Sequence, residues 1–271
     1  MISIPHDTIA FDLLRTFGTG HVLERITDRY PGFSLDDGYI VAQLIRDLRV
    51  RRGERVVGRK FGGTNPATYP LTGATGPSWN FMYNTTVREL ADGNGEFAIG
   101  DFRQPRIEPE LVIRLRTTPD AAMDELELLN CIDSVAMGFE FVHSPYSDWR
   151  VRPPDAAAAF GLHQAALIGP WKDIAPERFE WLHRLKACEV TLTNNRGDIR
   201  RGSGANVLGS PVLALKAILA DMANHSEWTA ISAGEIVTTG TITELMPISP
   251  GQVWSSEIQR APIAGLRVSI I

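Results

Sequence analysis

The sequence predicts an α+β protein in which a rolled or sandwiched mixed β-sheet follows a smaller, mainly helical N-terminal region. The first observation is that short strand patterns fill the chain after residue 80 without alternating regularly with helices, which argues against a doubly wound parallel sheet. The second is that 271 residues, 44% of them hydrophobic, suffice for one domain or for one domain with an appendage. We therefore predict a helical region over residues 1–70 and a main domain over residues 71–271.

Helical patterns dominate the start of the chain. Residues 7–30 carry one such pattern, and Ser34 begins another, because serine caps helices and the two aspartates that follow favour a first turn. The apolar stripe of this second helix consists of Val41, Leu44, Ile45 and Leu48. Residues 55–60 then predict a short strand, which runs into the loop 61–66, whose glycines permit close approach of the backbone to a ligand.

Short strands account for most of the main domain. Their predicted ranges are 80–88, 96–101, 107–116, 133–143, 164–169, 185–195, 235–242, 252–258 and 265–271. Asn194 to Gly197 predicts a hairpin turn, since Asn and Gly tolerate a positive φ. Two helices interrupt the strands, one over 119–130 and one that begins where Ser210 caps and Pro211 takes the first helical position. The buried stripe of the latter helix is predicted to contain Val212, Leu215, Leu219 and Met222.

Composition excludes several classes of function. A net charge of −5 does not favour a nucleic-acid surface, and we assign the basic residues between Arg46 and Arg59 to the solvated end of a helix. Cys131 and Cys188 lack metal-ligand spacing and fit buried thiols in a reducing compartment. The first residues lack a secretory pattern, and no long uninterrupted apolar run occurs. We expect a cytoplasmic protein that binds neither nucleic acid nor membrane.

Three glutamates are the most informative feature. Glu108 and Glu110 lie two apart on a predicted strand, so their carboxylates project from one face, whereas the opposite face is apolar. Glu140 lies inside the apolar run 135–142, where an unpaired charge is costly, so we expect a positive group to meet it. Two carboxylates on one face of a strand usually mean only that this face is exposed to solvent. Three carboxylates without His or Cys instead favour a hard cation such as Mg²⁺, Mn²⁺ or Ca²⁺.

Other candidate residues are weaker on their own. Lys60 precedes a Gly-Gly turn, and taken alone this position predicts a surface lysine. If Lys60 lies beside a metal site, it can instead bind a substrate carboxylate or transfer protons. His143 follows Glu140 by three residues and is either a hydrogen-bonded structural group or a base. The glycines of 202–209 are misplaced for a dinucleotide loop, and no serine-hydrolase or zincin motif occurs.

With these residues in order, the chain resembles the fumarylacetoacetate hydrolase superfamily, and within it the 2-keto-4-pentenoate hydratases and the related 2-oxo-dienoate decarboxylases. The resemblance begins near residue 40 and rests on motifs that occur in the family's order. These are Gly58-Arg-Lys-Phe-Gly62, Pro105-Arg-Ile-Glu-Pro-Glu110, Glu140, Gly209-Ser-Pro211, Ala233-Gly-Glu-Ile-Val-Thr-Thr-Gly240 and Pro250-Gly251. The resemblance implies the rolled sheet of this superfamily's C-terminal domain.

The resemblance also implies a function. Mg²⁺ or Mn²⁺ would be held by Glu108, Glu110 and Glu140, and would stabilise the enolate of a 2-oxo acid to which water adds, as in a hydro-lyase. Lys60 and His143 are the candidate catalytic residues, and Lys60 and the hydroxyls of Ser144, Thr239 and Thr241 are candidate substrate contacts. Aromatic catabolism as the setting and a homo-oligomeric assembly are further implications.

The chain departs from the family around residues 143–163. The hydratases' Ala-Asp-Asn-Ala-Ser is replaced by Ala159-Phe-Gly-Leu-His163, and the family's Pro-Asp-Tyr-Gly aspartate falls near Ser78. Two alternatives therefore remain open. One is an acylpyruvate-type C–C hydrolase, with His143 or His163 as base, or an oxo-acid decarboxylase on the same metal site. The other is a non-catalytic relative that only binds its ligand.

Overall fold

The computed structural model describes residues 3–72, 74, 76–225 and 228–271. Its α-helices are α1 His6–Thr16, α2 Ile26–Arg29, α3 Leu35–Arg51, α4 Tyr69–Thr72, α5 Glu125–Asn130, α6 Pro153–Ala158, α7 Glu180–Ala187 and α8 Pro211–Met222. Its strands are β1 Val56–Gly62, β2 Ser78–Tyr83, β3 Val87–Glu89, β4 Asn94–Phe97, β5 Arg106–Leu115, β6 Ile132–Val142, β7 His163–Ile168, β8 Lys172–Asp173, β9 Glu189–Asn194, β10 Ile199–Ser203, β11 Ile236–Thr241, β12 Met246–Pro247, β13 Val253–Gln259 and β14 Arg267–Ile270.

Two mixed sheets enclose the main core, which confirms the predicted α+β fold. The larger sheet has the order β2-β1-β11-β5-β6-β7-β3, with β12 beside β5 and β8 beside β6, and the smaller has the order β10-β9-β13-β14-β4. The long antiparallel pair β5–β6 forms the centre of the larger sheet. The odd-numbered apolar residues of β5 point into this core, as the alternation predicts: Ile107, Leu111, Ile113 and Leu115.

The helix α8 lies in the same core. Ser210 caps it and Pro211 occupies its first turn, as predicted, and the side chains of Val212 and Leu215 are fully buried. The stretch Gly204–Met222 is long and apolar enough to cross a membrane by composition, but the packing of α8 in the protein core accounts for that apolarity.

The N-terminal helices form a second core with the middle of the chain. Helices α1 and α3 pack against each other and α6 packs against α3, and both carboxylate oxygens of the buried Asp155 in α6 accept hydrogen bonds from Thr27. The predicted Ser34 cap of α3 is present, and the structure adds a reciprocal bond from Ser34 to Asp37 that completes a capping box. The boundary at residue 70 stays a prediction, although β1, which precedes it, lies inside the larger sheet.

Several predicted element bounds were wrong for local reasons. The helical pattern of 7–30 is interrupted after Thr16, because Gly18 adopts a φ of +73°, and helix resumes only in the short α2. The helix predicted over 119–130 begins only at Glu125, where Asp124 forms a capping box. The predicted strand 185–195 begins at Glu189, because the residues before it belong to the amphipathic helix α7. A turn after Tyr83 divides the predicted strand 80–88 into β2 and β3.

Arg59 contradicts the assignment of the basic cluster to solvent. It lies on β1, is fully buried, and donates to the Glu235 carboxylate at 2.5 Å and to the carbonyls of Thr229 and Ala230. Its guanidinium also stacks on Phe81, 4.4 Å from the ring centroid. The sequence analysis did not predict this burial, because the residues next to an arginine do not show whether a distant acidic residue will neutralise it.

The Arg59–Glu235 pair leads to a stability prediction. Glu235→Gln leaves a buried guanidinium without its counter-charge, so we expect the free energy of unfolding to fall by about 2 kcal/mol. The double variant Arg59→Met/Glu235→Gln, which removes both charges, should recover much of that loss. Urea denaturation of the three proteins measures these changes. Equal stability of the wild type and Glu235→Gln would show that the pair contributes nothing.

Candidate metal centre

The three predicted glutamates meet on one face of the central hairpin. In the β5–β6 register Glu108 lies directly opposite Glu140, and Glu110 lies opposite Gly138, so all three side chains emerge on the same side. One carboxylate oxygen from each lies within 4.8 Å of the others. Glu110 and Glu140 are each only 1% exposed. The structure therefore brings together the residues that the sequence analysis assigned to a metal.

An irregularity in β11 holds Glu110 in place. The β11–β5 register shifts between Thr238 and Thr241, and within this bulge the amide nitrogen of Gly240 donates to Glu110 Oε2 at 2.6 Å. Gly240 has a φ of +99°, and a Cβ there would lie 1.8 Å from Thr64 Oγ1. Only glycine fits this position, which explains the glycine of the Thr-Thr-Gly-Thr segment in terms of the site.

Lys60 is the positive group that Glu140 was expected to meet. It projects from β1, and its Nζ lies 3.5 Å from Glu140 Oε2 and donates to the carbonyl of Gly161 at 3.0 Å. Residues 160–162 all have positive φ, and a Cβ on Gly161 would lie 2.9 Å from Lys60 Cδ. Strained backbone of this kind is concentrated at functional sites. Here it lets a carbonyl approach the ammonium group.

The cluster carries unbalanced negative charge. Burial and the charge of Glu140 raise the pKa of Glu108 to about 7, and burial with both neighbouring carboxylates raises the pKa of Glu110 well above its ordinary value. Burial opposes ionisation of Glu140 as well, but Lys60 and a hydrogen bond from His163 hold its pKa below the ordinary value. The three carboxylates outweigh burial at Lys60, whose pKa is raised. One ammonium thus faces three acids.

The residues present fit a hard divalent cation. Glu110 Oε1 and Glu140 Oε2 are buried and have no hydrogen-bond partner within the described part of the chain. A buried oxygen without a partner is costly, and a cation between the carboxylates would satisfy both atoms and offset the charge. The donor set is oxygen only, which suits Mg²⁺, Mn²⁺ or Ca²⁺.

A cavity of about 210 Å³ opens beside the cluster. Its polar lining includes Lys60, Glu108, Arg106 and Thr241. The apolar wall includes Leu35, Val142, Val151, Pro153, Ala156, Leu162 and Leu245. This volume is below the roughly 300–1,000 Å³ of sites for drug-sized ligands and suits a small molecule. Leu162 belongs to the segment 159–163, which departs from the family pattern.

The remaining predicted site residues are placed differently. Thr241 lines the cavity, whereas the hydroxyls of Thr239 and Ser144 donate to the backbone carbonyls of Leu111 and Asp148 and lie outside its lining. The Nδ1 of His143 lies 2.7 Å from the carbonyl of Arg103, and burial lowers the pKa of this histidine. His143 also lies outside the lining. The geometry therefore does not bring Ser144, Thr239 or His143 to the cavity, and their roles stay predictions.

Two residues near the site were not assigned to it from the sequence. His163, considered only as an alternative base, has both ring nitrogens engaged, with Nδ1 2.7 Å from Glu140 Oε1 and Nε2 3.0 Å from Thr86 Oγ1, so it is not free to activate a water. Arg106 lines the cavity and stacks on Trp149 at 4.1 Å. Arg106 could have been predicted from the sequence, since strand alternation places it on the same face as Glu108 and Glu110.

Fold and site together define an α+β protein with a buried carboxylate cluster at the centre of a curled sheet. A model of the family described as fumarylacetoacetate (FAA) hydrolase C-terminal matches residues 71–269, and the chain belongs to this family. The resemblance stated from the motifs is thereby confirmed.

Curated relatives cover almost the whole chain. A 2-keto-4-pentenoate hydratase from Burkholderia vietnamiensis is 27% identical over 253 residues, which are 93% of this chain and 92% of the relative. A 4-oxalocrotonate decarboxylase from a Pseudomonas species is 26% identical over 219 residues, which are 81% of each chain. Enzymes of two reaction types are therefore similar to this chain at nearly equal identity.

Solved structures share the fold. The 4-oxalocrotonate decarboxylase from Pseudomonas putida G7, complexed with magnesium and adipate, superposes with a TM-score of 0.87 at 22% identity and covers 98% of this chain and 97% of its own. A fumarylpyruvate hydrolase from Pseudomonas aeruginosa, in complex with Mn²⁺ and pyruvate, has a TM-score of 0.60 at 15% identity over 79% of this chain and 88% of its own. At these identities the likeness establishes the fold alone.

Proposed function

We propose that this protein is a metal-dependent hydro-lyase that adds water to a 2-hydroxydienoate or its 2-oxo-enoate tautomer. The observation that carries the proposal is the cluster of Glu108, Glu110 and Glu140 beside Lys60, next to a small cavity that Lys60 and Glu108 line. Near-full-length similarity to 2-keto-4-pentenoate hydratases supports the choice of reaction. Mg²⁺ or Mn²⁺ is the proposed ion, and when bound it would supply Lewis-acid polarisation to the substrate carbonyl.

The residues of the chain divide the remaining work. Glu108, Glu110 and Glu140 hold the ion, and the amide of Gly240 fixes the direction of one carboxylate. The ammonium group of Lys60 is presented to the cavity with its charge retained, so it attracts the substrate carboxylate or holds a proton for transfer. The apolar wall excludes bulk water from the conjugated chain of the substrate and leaves room for a short tail.

Hydration needs balanced proton movements. The terminal carbon of the dienol gains a proton as its 2-hydroxyl loses one, and the oxygen of a water then adds at C4 while a proton reaches C3. The product is a 4-hydroxy-2-oxo acid. Among the described residues that line the cavity, Glu108 is assigned to the ion, and Lys60, whose Nζ lies 3.5 Å from Glu140, is the candidate for these transfers.

A substrate panel tests the proposal. Purified protein is incubated with Mg²⁺ or Mn²⁺ and with 2-hydroxydienoates, oxo-enoate diacids or acylpyruvates, and the products are identified by mass and NMR. A gain of one water by the dienoate is the expected result. Release of CO₂ would identify a decarboxylase, and cleavage into two acids a C–C hydrolase. Absence of turnover with every member would identify a relative that only binds its ligand.

Decarboxylation is the second candidate because of Arg106. Its guanidinium lines the cavity, is held against the Trp149 ring, and forms no ion pair with a carboxylate of the described residues. Such a group is suited to the second carboxylate of a diacid. The 26% identity to a 4-oxalocrotonate decarboxylase is consistent with this alternative. Discrimination between a diacid and a monoacid in the panel decides between the two candidates.

Proton competition makes cation binding dependent on pH. In the metal-free protein the pKa of Glu108 is raised to about 7 and that of Glu110 is also raised, so a cation must displace protons below neutrality. We expect affinity for Mn²⁺ to increase from pH 6 to pH 8, by about tenfold per pH unit for each proton displaced. Titration calorimetry at several pH values measures this affinity. An affinity that does not change with pH would contradict the raised pKa of Glu108 and Glu110.

The same shifts affect the stability of the metal-free protein. A carboxylate whose folded pKa is raised stabilises the fold below its unfolded pKa, and this contribution is lost as pH rises through the folded value. For Glu108 the window runs from about 4.5 to about 7. Glu108→Gln should reduce the loss of stability across that window, and urea denaturation in chelator at several pH values measures the difference.

A further inference from the structure

We propose that His163 is a positioning residue that fixes the orientation of Glu140 through a hydrogen bond from Nδ1, and that it thereby sets the affinity of the site for its cation. The inference rests on the proposed metal centre and adds a residue to it. His163 does not contact the cavity, so it acts through Glu140 alone.

The geometry favours a fixed rather than an incidental contact. His163 is 1% exposed, its Nδ1 lies 2.7 Å from Glu140 Oε1, and its Nε2 lies 3.0 Å from Thr86 Oγ1. The other oxygen of Glu140, Oε2, is the one near Lys60 and has no hydrogen-bond partner in the described part of the chain. The histidine thus occupies one oxygen and leaves the other for a ligand.

The contact with Glu140 determines that Nδ1 of His163 carries a hydrogen. An ionised carboxylate only accepts hydrogen bonds, so the ring hydrogen lies on Nδ1 when Glu140 is ionised. Nε2 lies 3.0 Å from Thr86 Oγ1, whose hydroxyl also lies 3.2 Å from the carbonyl of Tyr83 and can donate to either atom. Thr86 Oγ1 in turn accepts from the amide nitrogen of Tyr83 at 3.2 Å. Each of these polar groups has a partner in this arrangement.

The local sheet explains how a histidine reaches this position. His163 begins β7, and the β6–β7 register shifts between Phe141 and Val142, next to the pair formed by Val142 and His163. A shift of this kind redirects a side chain relative to the regular ladder. The residues just before it, 160–162, are those with positive φ that place the Gly161 carbonyl on Lys60. One short segment therefore positions both groups that contact Glu140, the ammonium of Lys60 and the ring of His163.

Amide substitutions distinguish positioning by Nδ1 from simple filling of space. The side-chain nitrogen of asparagine can take the place of Nδ1, whereas the longer glutamine places its amide near Nε2, on the Thr86 side. We expect His163→Leu and His163→Gln to weaken Mn²⁺ binding by about 10–100-fold, the usual effect of removing a partner of a metal ligand. His163→Asn should recover most of the affinity.

The test measures Mn²⁺ dissociation constants by titration calorimetry on the full-length protein, with melting temperatures for each variant. Ser256→Ala is the control, since it removes a hydroxyl of β13 that accepts from the Leu266 amide and should leave Mn²⁺ affinity unchanged. If wild type binds Mn²⁺ and all His163 variants bind equally, or if the Asn and Gln variants bind alike, this inference is overturned and the metal centre stands.

Failure of the proposed function gives a different result. If the wild-type protein itself binds no Mn²⁺, the proposed metal centre is overturned and the role of His163 with it. If His163→Leu does not fold, comparison of the Asn and Gln variants decides the question, because both keep a polar side chain at this position.

Discussion

Replacement of Glu110 by glutamine is expected to reduce kcat/KM by about 10³-fold and to abolish tight cation binding. Lewis-acid stabilisation contributes several kcal/mol, and each 1.36 kcal/mol corresponds to a factor of about ten in rate. Glutamine is isosteric, and its carbonyl oxygen can still accept from the Gly240 amide, so the fold is retained. Steady-state hydration of a 2-hydroxydienoate with saturating Mg²⁺ measures the loss.

Thermal unfolding separates this effect from misfolding. In chelator the melting temperature of Glu110→Gln should equal or exceed that of the wild type, because the variant removes a carboxylate whose ionisation is disfavoured by burial. Added Mn²⁺ should raise the melting temperature of the wild type but not of the variant. An active Glu110→Gln protein with wild-type cation binding would show that the carboxylate cluster is not the site.

Substitution of Lys60 by methionine is expected to lower kcat by about 10²–10⁴-fold if the ammonium transfers a proton, with KM little changed. If it only binds the substrate carboxylate, KM rises instead and kcat is retained. Methionine keeps the length of the buried stem. Comparison of kcat and KM on the same dienoate therefore assigns the role. Activity equal to that of wild type in both parameters would remove Lys60 from the site.

The same variant has a conditional effect on stability. In chelator, Lys60→Met leaves the Glu140 charge without its ammonium partner, and we expect a loss of about 3 kcal/mol in the free energy of unfolding. Saturating Mn²⁺ should restore most of this stability, because the ion replaces the lost positive charge. Lys172→Met, on the exposed strand β8, is the control and should change neither activity nor stability.

The centre of the site was predictable because its signals are local. Alternation along β5 places Glu108 and Glu110 on one face, and Glu140 is conspicuous as an acid among buried residues, for which a positive partner was expected and found in Lys60. Each inference needed only the period of a strand and the cost of burying a charge. Family motifs then linked residues that lie far apart in sequence.

The rest of the site depends on how the strands pair and on unusual backbone conformations, and neither can be predicted from the pattern of residue types. His163 meets Glu140 only because the β6–β7 pairing shifts by one step, and a one-residue change in register would turn its ring away. The positive φ at Phe160 and Leu162 has no local signature, since neither is glycine. Burial of Arg59 likewise follows from Glu235, which is distant in sequence.

Crystals of the wild-type protein grown with Mn²⁺ test the central claim most directly. An anomalous difference map should show one strong peak per chain between the carboxylates of Glu108, Glu110 and Glu140, and this peak should be absent from Glu110→Gln crystals grown in the same way. A wild-type map without a peak at the three glutamates, from crystals that contain Mn²⁺ at another position, would contradict the proposed metal centre.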